Sequence, residues 1–131
     1  MSASISVHLE RSPGHYEPDE RVDGFVILDA GDQAGAEVHY AEVMLFWQTD
    51  GKGTQDEGIV GRFEILEKDT PLPARHEHRF SWEMPRIPWS YQGKLIKINW
   101  YVGAYARAGR NDEISSRIDI VLYPPSGAAG A

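Results

Sequence analysis

The stretch HEHRFSWEMPRIPWSYQGKLIKINWYVGAYA, residues 76–106, holds two alternating apolar runs separated by a proline-rich segment. The first run places five residues on one face of an extended chain: His76, His78, Phe80, Trp82 and Met84. The second run does the same with Ile96, Ile98, Trp100 and Val102. Because successive side chains of a strand point to opposite faces of a sheet, each run predicts a strand with one buried face. Both tryptophans of these runs are therefore expected in the core.

The same alternation recurs along the chain, whereas helical periodicity is almost absent. Further strands are predicted around residues 5–9, 22–28, 38–47, 59–65 and 118–122. The segments between them are rich in Gly, Pro, Asp and Ser, which favour turns. About seven short strands with such connections predict an all-β fold, an antiparallel β-sandwich of the immunoglobulin-like type.

Three predicted strands carry additional signals. Gly24 in the second strand indicates a bulge or a close approach of another backbone. The 38–47 strand is apolar on both faces toward its end, which predicts a central strand or one whose outer side is covered by a loop or a partner. In the 59–65 strand, alternation predicts that Ile59, Phe63 and Ile65 form the buried face.

The 131 residues include 13 Lys and Arg, 20 Asp and Glu and no Cys, for a net charge of −7. Scattered basic residues on an acidic chain make nucleic acid and anionic membranes unexpected partners. No apolar run reaches the ~20 residues of a membrane span. The N-terminus MSASISVHLE lacks the pattern of a signal peptide, so we expect a cytoplasmic protein. The length predicts one domain over residues 1–123, followed by a flexible C-terminal tail over residues 124–131.

Two stretches resemble the arrestin-like superfamily. HYEPDERVDGFVIL, residues 15–28, is similar to the pattern pGe.v.G.v.l that leads into the second strand of these proteins. The second stretch contains Met84-Pro85, Pro88, Ser90-Tyr91-x-Gly93 and Trp100-Tyr101-Val102-x-Ala104, and it resembles the segment that joins two strands across the arrestin sandwich. The resemblance runs in order over roughly residues 5–122 and includes bacterial sporulation-control proteins. It implies a single arrestin-like sandwich without catalytic activity.

The segment TDGKGTQDEG, residues 49–58, suggests a phosphate-binding or cation-binding loop. A P-loop requires Gly-Lys-Ser/Thr before a helix, but here Lys52 is followed by Gly53 and a predicted strand. The carboxylate spacing of an EF-hand is also absent. A looser calcium site formed by Asp50, Asp56 and Glu57 stays open, and the leading interpretation is a hairpin loop able to touch a partner.

His76 and His78 lie two residues apart on one strand face, which is compatible with zinc ligation. No second spaced cluster supplies a third ligand, so we expect these histidines to cap one end of the apolar layer. The sequence contains no Gly-x-Ser-x-Gly elbow and no cysteine nucleophile. We therefore predict no catalytic, cofactor or metal residues and a protein that is not an enzyme.

Trp89 and Tyr91 lie in the proline-rich segment between the two alternating runs. Exposed aromatic side chains of this kind bind sugars or peptides, whereas in a fixed turn Trp89 would cover the end of the sandwich. The predicted contact residues for a partner or ligand are Trp89, Tyr91, Lys52, Asp50 and Asp56.

Two functional hypotheses follow. The first is a non-catalytic arrestin-like interaction or scaffold module, which binds a protein partner or a second copy of itself through a sheet edge or the loop ends. The second is a carbohydrate- or calcium-binding β-sandwich domain that uses the same aromatic and acidic residues.

Overall fold

A computed structural model describes residues 3–51 and 55–125 of the chain. Within these ranges, nine β-strands and a short 3₁₀ helix, η1, run in the order β1 (Ser4–Leu9), β2 (His15–Tyr16), β3 (Arg21–Asp29), η1 (Gly31–Gln33), β4 (Val38–Gly51), β5 (Glu57–Leu66), β6 (Arg75–Glu83), β7 (Tyr91–Gln92), β8 (Ile96–Ala108) and β9 (Ile114–Leu122). The two strands beyond the predicted seven, β2 and β7, have two residues each. Of the predicted tail, residues 126–131 lie outside the described part of the chain.

The strands form two sheets packed face to face, which confirms the predicted all-β sandwich. The small sheet has the order β1-β3-β6, and the large sheet has the order β2-β9-β8-β4-β5. The short strand β7 also pairs with β8. Neighbouring strands are antiparallel except for β2 and β9, which form a two-residue parallel pair. No helix in the described ranges is long and apolar enough to cross a membrane.

The core lies between the sheets and contains the residues that alternation places inward. Trp100 and Val102 of β8 are fully buried, and they lie opposite Trp47 and Leu45 of β4. Phe80 and Trp82 of the small sheet are also buried, with ring centroids 4.9 Å apart, so both core tryptophans are confirmed. Burial of each such side chain contributes roughly 1.5–3 kcal/mol to folding.

β4 is the central strand that its sequence predicts, because it lies between β8 and β5. Val43 and Leu45 on its inner face are fully buried, and Phe46 on the opposite face is also buried. The Phe46 ring lies 5.4 Å from the ring of Tyr101 on β8. Tyr101 of the neighbouring strand β8 therefore helps to cover Phe46 on the outer face of the sheet.

The prediction that Ile59, Phe63 and Ile65 form the buried face of β5 is wrong at Ile59, which is 56% exposed. Of these three residues, only Ile65 is buried. The pairing with β4 is irregular at two points, and it skips Val60 and Ile65. An extra residue in one strand reverses the alternation beyond it. Gly61 consequently lies opposite the inward residue Leu45, whereas Ile59 lies opposite the outward residue Phe46.

Gly24 confirms the expected close approach of another backbone. A β-carbon at this position would lie 2.1 Å from the carbonyl oxygen of His8 and 2.7 Å from Cζ of Phe80. Only glycine allows β1 and the Phe80 ring to pack against β3 at this distance.

Candidate functional site

The chain brings two of its turn-rich segments together at one end of the large sheet. In the β4–β8 pairing, Asp50 lies opposite Lys97 and Gly51 lies opposite Ile96. On the other side of β8, Tyr91 pairs with Ile98. We call this region, residues 49–51, 55–57 and 85–98, the loop end. It contains the predicted contact residues Asp50, Asp56, Trp89 and Tyr91, whereas Lys52 lies outside the described residues.

Two hydrogen-bonded contacts hold the 85–92 segment in place. The indole Nε1 of buried Trp100 donates a 2.7 Å hydrogen bond to the carbonyl oxygen of Pro88. Ser90 donates its backbone N–H to the carbonyl oxygen of Leu122, at 2.9 Å, and its Oγ accepts the N–H of Leu122, at 3.0 Å. A buried indole N–H requires an acceptor, so the proline-rich segment is fixed by the core beneath it.

Gly93 of the Ser-Tyr-x-Gly pattern provides space for an aromatic ring. A β-carbon at position 93 would lie 2.4 Å from Cε1 of Tyr91, so the tyrosine ring lies against the glycine. The N–H of Gly93 donates a 3.0 Å hydrogen bond to the carbonyl oxygen of Ile96. The pattern thus forms the tight connection between β7 and β8.

This fixed segment exposes several large apolar side chains. Ile87 is 73% exposed and Leu95 is 71% exposed, and Trp89, Tyr91 and Ile96 are between 43% and 54% exposed. We call these five residues the apolar patch. Trp89 therefore covers the end of the sandwich only in part. Five large apolar side chains are thus exposed within residues 87–96, and exposed apolar surface of this kind is typical of an interaction site.

A polar cavity of about 520 Å³ lies at the loop end, on the outer face of the large sheet. It is lined by Gln48, Thr49, Asp50, Gln55, Asp56, Glu57, Asn99, Tyr101 and Arg117. One wall of the cavity is the β4–β5 hairpin, which is held together by Thr49 and Asp56. The N–H of Thr49 donates a 2.8 Å hydrogen bond to the carbonyl oxygen of Asp56. The N–H of Asp56 returns a 2.7 Å hydrogen bond to Oγ1 of Thr49. This pairing confirms the predicted hairpin.

The cavity places Asp50, Asp56 and Glu57 along one wall. No group of three His, Cys, Asp or Glu side chains within residues 3–51 and 55–125 is arranged to hold a metal ion. Opposite the acidic residues, the Arg117 guanidinium lies 4.1 Å from the centroid of the Tyr101 ring. The cavity therefore offers carboxylates, amides and a stacked guanidinium to a ligand.

Sequence reasoning missed Gln48, Asn99, Tyr101 and Arg117 as cavity residues. They come from β4, β8 and β9, and a single polar position on the outer face of a strand carries no local signal of a site. Their meeting depends on the strand order, which places these three strands side by side.

His76 and His78 lie on the inner side of β6, with ring centroids 6.3 Å apart. Burial and the nearby charge of His76 lower the pKa of His78 below its usual value. The Phe63 ring lies 6.2 Å from His78, and Nε2 of His76 is buried with no hydrogen-bond partner among the described residues. The two rings extend the aromatic layer formed by Phe80 and Trp82, as the sequence predicts.

No protein-family model matches the sequence, and no curated protein matches it. Among solved structures, the crystal structure of Spo0M, a sporulation control protein from Bacillus subtilis, matches 95% of this chain with a TM-score of 0.71 and 19% sequence identity. This chain has an arrestin-like fold. The arrestin-like chain spans 51% of the Spo0M chain. The resemblance expected from the Ser90–Gly93 and Tyr16–Leu28 motifs is thereby confirmed for the fold.

Proposed function

We propose that this arrestin-like chain is a non-catalytic interaction module that binds a protein partner through the apolar patch. The supporting observation is the exposure of Ile87, Trp89, Tyr91, Leu95 and Ile96 within one segment. Contiguous exposed apolar surface is uncommon on monomeric proteins and marks binding sites, and Trp and Tyr are frequent energetic anchors of interfaces.

The rigid support of the patch favours this function. The hydrogen bonds of Trp100 to Pro88 and of Ser90 to Leu122 hold the segment before a partner arrives. A preformed surface loses less conformational entropy on binding than a mobile loop does. Lys94, next to Leu95 of the patch in sequence, is exposed, so the partner surface should be apolar with a carboxylate placed to meet this ammonium group.

Further parts of the proposal concern the whole chain. We infer that residues 1–123 act as one unit in the cytoplasm, followed by the tail 124–131, without a cofactor and without catalysis. The absence of a nucleophile elbow and of cysteine from the sequence supports the non-catalytic role.

The test is affinity capture from native cell extract with the wild-type chain and with the double variant Ile87→Ser, Leu95→Ser. Both positions are highly exposed, so the substitutions should leave the fold intact. A matched control is Ile59→Ser, Val60→Ser on β5, where the apolar side chains are also exposed. A retained protein, purified and re-tested, should bind wild type and the control but not the patch variant. Binding that survives in the patch variant, or an empty capture, contradicts the proposal.

A second candidate function is supported by the polar cavity. Gln48, Asn99 and the acidic residues Asp50 and Asp56 offer the amide and carboxylate groups that bind sugar hydroxyls, with calcium as an optional bridge. Titration of sugars, with and without calcium, is followed by tryptophan fluorescence and calorimetry. Saturable binding that is lost in Asn99→Ala supports this function, and unchanged signals for the wild type remove it.

A further inference from the structure

The free edge of β6 is the longest regular edge among the described strands. β1, at the other edge of the same sheet, also pairs regularly with β3, but only over Ser4–Leu9. β6 pairs with β3 without interruption from Arg75 opposite Asp29 to Glu83 opposite Arg21, a run of nine residues. The edge strand β5 of the other sheet is broken by two register shifts, and β2 pairs with one end of β9. A regular edge presents unpaired backbone groups that can accept another strand, whereas bulges discourage pairing.

The outer face of β6 carries four charges of alternating sign, Arg75, Glu77, Arg79 and Glu83, with the uncharged Ser81 between the last two. Two copies of one strand can pair antiparallel about a two-fold axis. A residue that lies a given number of positions before the axis in one copy then faces the residue the same number of positions after the axis in the other copy. The axis must pass through a residue, because an axis between residues would place inward side chains opposite outward ones. The charges therefore discriminate among a small number of registers.

We propose that β6 pairs with β6 of a second copy of this chain, antiparallel, with His78 on the two-fold axis. This register places Glu77 of each copy opposite Arg79 of the other, which gives two complementary pairs. Arg75 then faces Ser81 and lies diagonal to Glu83, within the reach of long side chains. Glu77 and Arg79 thus face an opposite charge directly, whereas Arg75 lies diagonal to one opposite charge, Glu83, and to one like charge, Arg79.

The neighbouring registers are unfavourable. An axis at Glu77 places Glu77 against itself and Arg75 against Arg79, and an axis at Arg79 places Arg79 against itself. Like charges directly opposite each other destabilise a strand pair. An axis at Phe80 likewise places Glu77 against Glu83. Axes at His76 and Ser81 do pair opposite charges, but they pair only residues 75–77 and 79–83 of the strand, whereas the His78 register pairs residues 75–81. The His78 register is therefore the longest one in which no like charges face each other directly.

The inner side of the edge also fits a second copy. Phe63 of β5 is 38% exposed and stacks on Trp82 with ring centroids 5.1 Å apart, and it also lies beside His78. Pairing at His78 would cover this ring. In the free chain Arg79 contacts Glu10 at 3.3 Å, and both side chains are exposed. An exposed ion pair contributes little, so Arg79 can turn toward Glu77 of the second copy at small cost.

The dimer uses a surface separate from the apolar patch, so it would present two patches to partners. The test measures the molecular mass of the purified full chain by sedimentation equilibrium over a concentration series. Wild type should form a dimer. The variants Glu77→Arg and Arg79→Glu each place like charges opposite one another and should raise the dimer dissociation constant about tenfold or more.

Two further samples separate pairing from a general loss of structure. A mixture of Glu77→Arg with Arg79→Glu should form the heterodimer, because position 77 of each then faces an opposite charge at position 79 of the other. The double variant Glu77→Arg, Arg79→Glu should recover the wild-type dimer. A monomeric wild type, single variants that dimerise as wild type does, or a mixture without heterodimer each overturns the proposal. The patch variant Ile87→Ser, Leu95→Ser should dimerise as wild type does. Failure of the dimer proposal and failure of the partner-binding proposal can therefore be told apart.

Discussion

The indole ring of Trp82 rests directly on the backbone of Gly61, since a β-carbon at position 61 would lie 2.3 Å from Nε1 of the tryptophan. Trp82 is buried and stacks on both Phe63 and Phe80, so its ring has little room to move. We expect Gly61→Ala to lower the free energy of unfolding by about 1–3 kcal/mol through overpacking. Urea denaturation followed by circular dichroism measures this change.

Val60→Ala, in the same strand, is the control for Gly61→Ala. Its side chain is 43% exposed, so the change should stay within about 0.5 kcal/mol. Equal effects of the two substitutions would show that Gly61 is not constrained by Trp82.

Trp100→Phe removes the donor that binds the carbonyl oxygen of Pro88. We expect a loss of about 1–3 kcal/mol from the unsatisfied carbonyl, and more from the smaller ring. Hydrogen exchange at the N–H of Ser90, which donates to Leu122, should become faster because the 85–92 segment loses its anchor. Trp89→Phe, on the exposed face of the segment, should leave both quantities nearly unchanged. Unaltered exchange at Ser90 in the Trp100 variant would refute the anchoring role.

Asp19 adopts a left-handed backbone conformation, with φ at 70°. The arrestin-like pattern has glycine at this position, and glycine enters this conformation without steric cost. Asp19 also pairs with Arg86 at 2.6 Å, but both side chains are exposed, so the pair contributes little. We expect Asp19→Gly to be more stable than Asp19→Ala by about 1 kcal/mol in thermal or urea unfolding. An alanine variant as stable as the glycine variant would show that the backbone conformation imposes no strain.

His78 should make the stability depend on pH. Burial, reinforced by His76, lowers its pKa in the folded state below the value of 6.5 that an unperturbed histidine has. The unfolded chain therefore binds a proton at higher pH than the folded chain does, so the free energy of unfolding falls as pH drops below about 6.5. Nuclear magnetic resonance titration of the imidazole measures the pKa directly.

His78→Gln is the matched variant for this pH dependence. It should show a smaller loss of stability between neutral and mildly acidic pH, because one partly buried imidazole no longer has to be protonated. An imidazole of His78 that titrates above 6.5, or an unchanged pH dependence in His78→Gln, would contradict the assignment.

Much of the sandwich follows from local sequence. Alternation depends only on successive side chains pointing to opposite faces, so it located the long strands, the buried Trp82 and Trp100, and the inward histidines of β6. Gly24 correctly predicted a close backbone contact, because a glycine inside a strand often marks a place where another backbone approaches closely. The turn composition of residues 49–58 likewise predicted the hairpin.

Tertiary structure decided the features that depend on register and strand order. Ile59 faces outward because β5 skips residues in its pairing with β4, and no local pattern reveals where a pairing will slip. Arg117 reaches the polar cavity because β9 lies next to β8, and the exposure of Leu95 follows from what packs around the loop end. Alternation is a property of one strand, whereas bulges, cavities and uncovered surfaces arise only when strands of different length, 14 residues in β4 and nine in β6, are placed side by side. The sequence therefore determined the long strands and the buried faces of those that pair regularly. The pairing of β5 and the packing of the two sheets determined which surfaces remain exposed.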